Sequence, residues 1–177
     1  AIAITAIVSV HSQTPDPYAP GTKVSYVRTW DATAPETSSS TLMTRPLKDV
    51  KLATQYIDGL GRPVQTVVRE GSFATGSAPV DMVSPNVYDE FGREVKQYLP
   101  FAANNTGTNS SLSDGLFKLN PFQQQEVFSQ LQYPGEAVYY SKTDFETSPL
   151  NRANKSMAAG DSWAGSNRGV EAKYWAN

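Results

Sequence analysis

Apolar positions alternate with polar ones over short runs along most of this chain and seldom recur at helical spacing. "KVSYVRTWD" (23–31) places Val24, Tyr26, Arg28 and Trp30 on one face, a period of two that predicts a strand. "PVQTVV" (63–68) and "REVKQYL" (93–99) read the same way, with Val95 and Gln97 set against Glu94 and Lys96. "EAVYYSKTDFE" (136–146) is rich in Tyr and Val. "GVEAKYWAN" (169–177) sets Val170, Ala172 and Tyr174 against Glu171 and Lys173. One stretch breaks this rhythm. In "NPFQQQEVFSQLQYPG" (120–135), Phe122, Val127, Phe128 and Leu131 approximate a helical stripe. Asn120 suits an N-cap, Pro121 suits the first helical position, and Pro134-Gly135 stops the run. The spacing predicts a helix over 121–132 with its glutamines facing solvent. Polar stretches at 32–42 and 102–115 read as loops. The expected fold is mostly β, made of short antiparallel strands joined by hairpin turns, with one short helix near 121–132. The 12 glycines and 12 prolines suit so many turns.

The first residues follow another rule. "AIAITAIVSVHS" (1–12) is an uncharged, largely apolar run that ends in Val10-His11-Ser12, fitting cleavage before Gln13. It reads as the C-terminal part of a signal peptide, the alternative being a buried strand. Residues 13–22 ("QTPDPYAPGT") are a Pro-rich linker, and 23–177 is the β domain. A secreted or cell-surface protein is therefore expected. The apolar run is too short for a membrane helix, and no transmembrane segment is expected elsewhere.

An internal repeat accounts for the densest glycine cluster. "YIDGLGRPVQTVV" (56–68) aligns without a gap on "VYDEFGREVKQYL" (87–99), 31 residues later. Asp58, Leu60, Gly61, Arg62 and Val64 fall on Asp89, Phe91, Gly92, Arg93 and Val95. Phosphate loops need a helix after the glycines, whereas β-formers follow here. A turn explains each position: Asp accepts backbone N–H groups two or three residues on, and Gly supplies a positive φ. Leu60 and Phe91 are expected to fold back onto the sheet. Arg62 and Arg93 open the outgoing strands, poised for an Asp or an aromatic ring. A degenerate third copy lies at "DFETSPLNRANKS", with Asn151 and Arg152 in place of Gly and Arg, and Ser148-Pro149 where Asp stood. Asp58, Gly61, Arg62, Asp89, Gly92, Arg93, Asn151 and Arg152 are thus expected to be structural turn residues.

Charge and composition narrow the chemistry. The formal net charge is −2, with no dense basic patch, which argues against nucleic acid as a partner. There is no cysteine and one histidine, His11, which would leave with the signal peptide. No thiolate site, histidine-based triad or familiar metal-ligand spacing remains. No enzyme activity or cofactor is expected and no metal ligands are assigned; an oxygen-only Ca²⁺ site stays open, without EF-hand spacing.

The two copies resemble the YD repeats of bacterial Rhs proteins, whose pattern is Tyr-Asp-x-x-Gly-Arg followed by a strand. With "SYVRTWDATAP", "TRPLKDVKLATQYIDGLGRPVQTVVREGS" and "FETSPLNR…GDSWAG", the chain from about residue 23 to 177 resembles the domain of unknown function that precedes the RHS repeat core in secreted, polymorphic-toxin-like proteins. The first copy departs from the pattern: Tyr56 stands two residues before Asp58, with Ile57 between. The resemblance implies a non-catalytic N-terminal structural segment, a cap or opening strands, of a large surface protein. That protein's β-hairpin shell would enclose or present a C-terminal toxin or effector. The implied partners are downstream RHS/YD repeats of the same polypeptide. The alternative is a module binding surface glycans through exposed Tyr26, Trp30, Tyr139, Trp163 and Trp175.

Overall fold

The computed structural model describes residues 14–73 and 78–175. Residues 1–13, among them the segment 1–12 read from sequence as a signal peptide, lie outside the described residues. Within them, nine strands form two antiparallel sheets. The first sheet contains β1 (Ser25–Ala32), β2 (Val50–Ile57), β3 (Pro63–Ser72), β4 (Val80–Pro85) and β6 (Phe101–Ala102), neighbours in that order. The second contains β5 (Lys96–Tyr98), β7 (Tyr140–Phe145), β8 (Ala153–Met157) and β9 (Val170–Glu171).

Alternation along the strands decides what is buried in the first sheet. Arg28, Thr54, Val67 and Val83 are successive register partners across β1 to β4. Phe101 follows on β6 as the partner of Val83. Tyr56, Val64, Val67, Val83, Phe101 and Ala103 form the hydrophobic core, with Val24, Phe117 and Phe128 packed against it. The opposite face carries Val27, Thr29, Gln55 and Met82 and stays largely open.

The helix forms over the expected residues, α2 (Pro121–Gln132), but presents a different face. Phe122 is buried and Phe128 packs on the core, whereas Val127 is 40% and Leu131 74% exposed. The residues turned inward are Gln124 and Gln125. Gln124 accepts from the Asn104 amide at 3.1 Å and donates to Asn120 at 2.7 Å. Gln125 donates to the Ser129 hydroxyl and to the Tyr139 carbonyl. A buried amide side chain is tolerated when fully bonded, and the 102–115 loop supplies backbone partners that an apolar side chain could not satisfy. Asn120 precedes the helix without a side-chain capping bond, because its amide is spent on Gln124 and the Thr106 carbonyl. The helix bridges the sheets: Phe122 meets Tyr98 of β5 edge to face, ring centroids 4.9 Å apart, while its neighbours pack on β6.

Two other expectations change. The loop expected at 32–42 runs into a short helix, α1 (Ser39–Thr44), whose first turn is capped by the Ser38 hydroxyl. The strand expected over 169–177 shrinks to Val170–Glu171 among the described residues, and Val170 is 77% exposed. As an edge strand it has a neighbour on one side only.

Candidate functional site: a repeated acid–arginine turn

The first turn joins β2 to β3. The Asp58 amide donates to the Arg62 carbonyl at 2.9 Å, and the Gly61 amide returns to the Asp58 carbonyl at 3.1 Å. One carboxylate then does two tasks. Its Oδ1 accepts the Leu60 and Arg62 amides, both at 2.9 Å. Its Oδ2 takes Arg62 Nε at 2.8 Å and Nη2 at 2.7 Å. Gly61 sits at φ +81°, a region that a Cβ disfavours.

The second turn repeats this bond for bond. Asp89 Oδ1 accepts the Phe91 and Arg93 amides at 3.0 and 2.8 Å, and Oδ2 takes Arg93 Nε and Nη2, both at 2.8 Å. Gly92 has φ +76°. Its setting differs, however. The incoming β4 belongs to the first sheet and the outgoing β5 to the second, with the Asn86–Gln97 bridge between them. The same turn that closes a hairpin in the first copy passes the chain between sheets in the second.

The third turn splits the aspartate's work between two residues. Ser148 closes the turn: its hydroxyl accepts the Leu150 amide at 3.2 Å and its carbonyl the Asn151 amide at 3.3 Å. Glu146, two residues earlier, holds Arg152 through Nε and Nη2, both at 2.9 Å. Asn151 takes the glycine position at φ +51°. Glu146 was missed from sequence, although an acid next to Phe145 and six residues before an Arg is its trace.

Leu60 and Phe91, expected to fold back onto the sheet, do not, and Leu150 at the third tip points outward as well. Leu60 is 78% exposed, Phe91 69% and Leu150 68%. Each gives its amide to the turn's own side-chain oxygen, which holds the backbone inward and sends the side chain outward.

The arginines link one turn to the next. Arg62 lies 4.6 Å from the Tyr88 ring centroid, and Arg93 lies 5.0 Å from that of Phe145. Tyr88 and Phe145 immediately precede the acids Asp89 and Glu146. Arg152 in turn lies 4.6 Å from Tyr174. The Tyr88 hydroxyl donates to the Pro63 carbonyl, next after Arg62, at 2.8 Å. The Tyr174 hydroxyl donates to the Ala153 carbonyl, next after Arg152, at 2.9 Å. Tyr174 therefore stands to the third turn as Tyr88 stands to the first. A groove of about 480 Å³ runs between the second and third turns, lined by Phe91, Arg93, Phe145 and Asn151. Another of about 380 Å³ is lined by Glu146, Arg152, Tyr174 and Trp175.

The electrostatics suit anchoring. The Arg62 amide, helped by its guanidinium, holds the Asp58 carboxyl below the usual range. Burial raises that of Asp89, but the Arg93 amide and guanidinium outweigh it, and the net shift is downward. Arg152, helped by Ser148, pulls Glu146 down to about 2. All three are firmly anionic at neutral pH, the state that grips an arginine and the wrong one for a proton donor. Among the described residues, no group of three or more His, Cys, Asp or Glu side chains converges as a metal site. No helix there is long and apolar enough to cross a membrane.

The aromatic residues considered for sugar stacking do not share a face. Tyr26 and Trp30 lie on β1 of the first sheet, while Trp163 and Trp175 lie beyond β8 of the second. Tyr139 is buried, its hydroxyl bonded to the Glu136 carbonyl and its own carbonyl accepting from Leu99 and Gln125.

Sequence reasoning also missed a buried ion pair. Asp81 of β4 and Lys118 are both fully buried, with Nζ 2.7 Å from Oδ2. A lone acid inside the apolar run "PVDMV" was its only signal.

Neither the curated proteins nor the solved structures gave a match to this chain. A family model described as "Domain of unknown function (DUF6443)" matches residues 28–176, most of the chain, and the chain belongs to that family.

Proposed function

We propose that this chain is a non-catalytic structural segment, the cap or opening strands, of a secreted or cell-surface RHS/YD-repeat protein. The downstream repeats of such a protein enclose or present a C-terminal toxin or effector. One observation carries the reading: the arginine of each turn rests on the aromatic residue that leads into the next, and the relay arrives at Tyr174. Tyr174 keeps the hydroxyl bond that Tyr88 makes where an incoming strand meets an acid turn. Stacked repeats transmit order through such nearest-neighbour contacts. The exposed aromatics are split between the sheets, which favours this reading over a sugar-binding platform. The test is a cryo-EM structure of the full-length protein. A further hairpin bonded to β9, with its turn over Tyr174, is expected. A β9 edge that faces solvent in the full-length protein would sink the reading.

A further inference from the structure

We propose that Lys118 and Asp81 condense into an intramolecular amide cross-link that ties β4 to the 111–118 loop. This does not depend on the function proposed above. Both side chains are fully buried, and Lys118 Nζ lies 2.7 Å from Asp81 Oδ2. Such a contact holds the amine against the carboxyl carbon and removes most of the entropic cost of their meeting. The carboxylate is framed by fixed backbone donors. Oδ1 accepts the Glu70 amide at 2.9 Å and Oδ2 the Gly115 amide at 2.8 Å. The Glu70 N–H is placed to stabilise the charge on Oδ1 as the carbon becomes tetrahedral, and the Gly115 N–H fixes the position of Oδ2. A second acid meets the same amine: Asp114 Oδ1 is 3.1 Å from Nζ, and its side chain is 41% exposed. The Ser111 hydroxyl, 2.7 Å from Nζ, completes the amine's surroundings.

The step balances without any added reagent. The Lys118 ammonium passes a proton to Asp114. Asp114 hands that proton to Asp81 Oδ2, and the neutral amine attacks Cγ of the now neutral carboxyl, forming the C–N bond and leaving the negative charge on Oδ1. The amine nitrogen then loses a second proton to Oδ2. The Cγ–Oδ2 bond breaks and water leaves. Nothing is oxidised or reduced, and Asp114 ends as it began. The product removes two charges from a fully buried site, where an ion pair carries a desolvation penalty. It also gives a chain without cysteine a covalent tie.

The test is mass spectrometry of the purified full-length chain, denatured and digested with trypsin. The expected result is a joined species, peptide 70–93 linked to peptide 97–142, one water lighter than the two together and uncut after Lys118. Asp114→Asn, which leaves both reacting groups in place, is expected to cut the joined fraction at least tenfold. Lys118→Arg is expected to abolish it. Complete cleavage after Lys118, with separate peptides at full mass, overturns the proposal. An Asp114→Asn chain that cross-links at the wild-type rate overturns the role given to Asp114.

Discussion

Gly61 and Gly92 occupy the same turn position, yet their surroundings make different demands. Both need a positive φ, and a β-branched residue held there costs about 1–3 kcal/mol. A Cβ on Gly61 meets nothing within 4 Å, whereas one on Gly92 lies 3.1 Å from Arg62 Nη1. Gly92→Val is therefore expected to lower stability more than Gly61→Val, because it also pushes Arg62 off the Tyr88 ring. Urea melts of the two variants check the order, and equal losses would mean that strain alone matters. Arg93 resembles an ordinary surface pair from sequence, but it faces two rings, Phe91 and Phe145, at 4.9 and 5.0 Å. Each such contact contributes about 0.5–1 kcal/mol, so Arg93→Ala should approach the cost of the glycine change instead of being nearly neutral. In the third turn, Asn151→Gly should be neutral or stabilising. Asn151→Ala should lose about 1–2 kcal/mol, the penalty for an L side chain in the left-handed region.

At the scale of the elements, local rules were legible and tertiary demands were not. Pro121, Pro134 and Gly135 punctuate the helix through backbone geometry, and its ends follow. Its inward face follows instead from the carbonyls and amides of the 102–115 loop, which no periodicity reports. Gln124→Leu is thus expected to destabilise by about 1–3 kcal/mol by orphaning the Asn104 amide, while Leu131→Gln should be nearly neutral. Thermal melts of the two variants give the comparison, and the reverse order would restore the apolar stripe as the buried face. The acid turns carry a pH dependence of known sign. Arg152 lowers the Glu146 carboxyl from 4.5 to about 2 in the folded state. Between these values the unfolded chain binds the proton more tightly, so the pair's stabilisation is complete above about pH 4.5 and is lost as pH falls toward 2. Asp58 and Asp89 shift in the same direction. Tm should fall on acidification through this window. Glu146→Gln should lower Tm at neutral pH and flatten its acid limb. An unchanged slope would show that the third turn does not anchor the fold.

Over the whole molecule, the two sheets are unequally buried, which predicts where the fold opens first. The core residues Tyr56, Val64, Val67, Val83 and Phe101 all belong to the first sheet. Along the strands of the second sheet Met157 is the buried residue, and its last strand is an exposed pair with a single neighbour. The repeated motif could be read from sequence because each copy is local. The assignment of its halves to different sheets could not, since it depends on β7 arriving from beyond the helix to pair with β5. Amides with few apolar contacts around them exchange through small openings, whereas those over a shared core wait for global unfolding. Native-state hydrogen exchange should therefore show slow amides on β2, β3 and β4 and much faster ones on β8 and β9. If the relay of arginines and rings continues into a following hairpin, adding that hairpin should slow β8 and β9 while leaving β2 and β3 unchanged. Equal protection of both sheets in the chain alone would mean that the second sheet is complete without a partner, and the case for an opening segment would lose its physical basis.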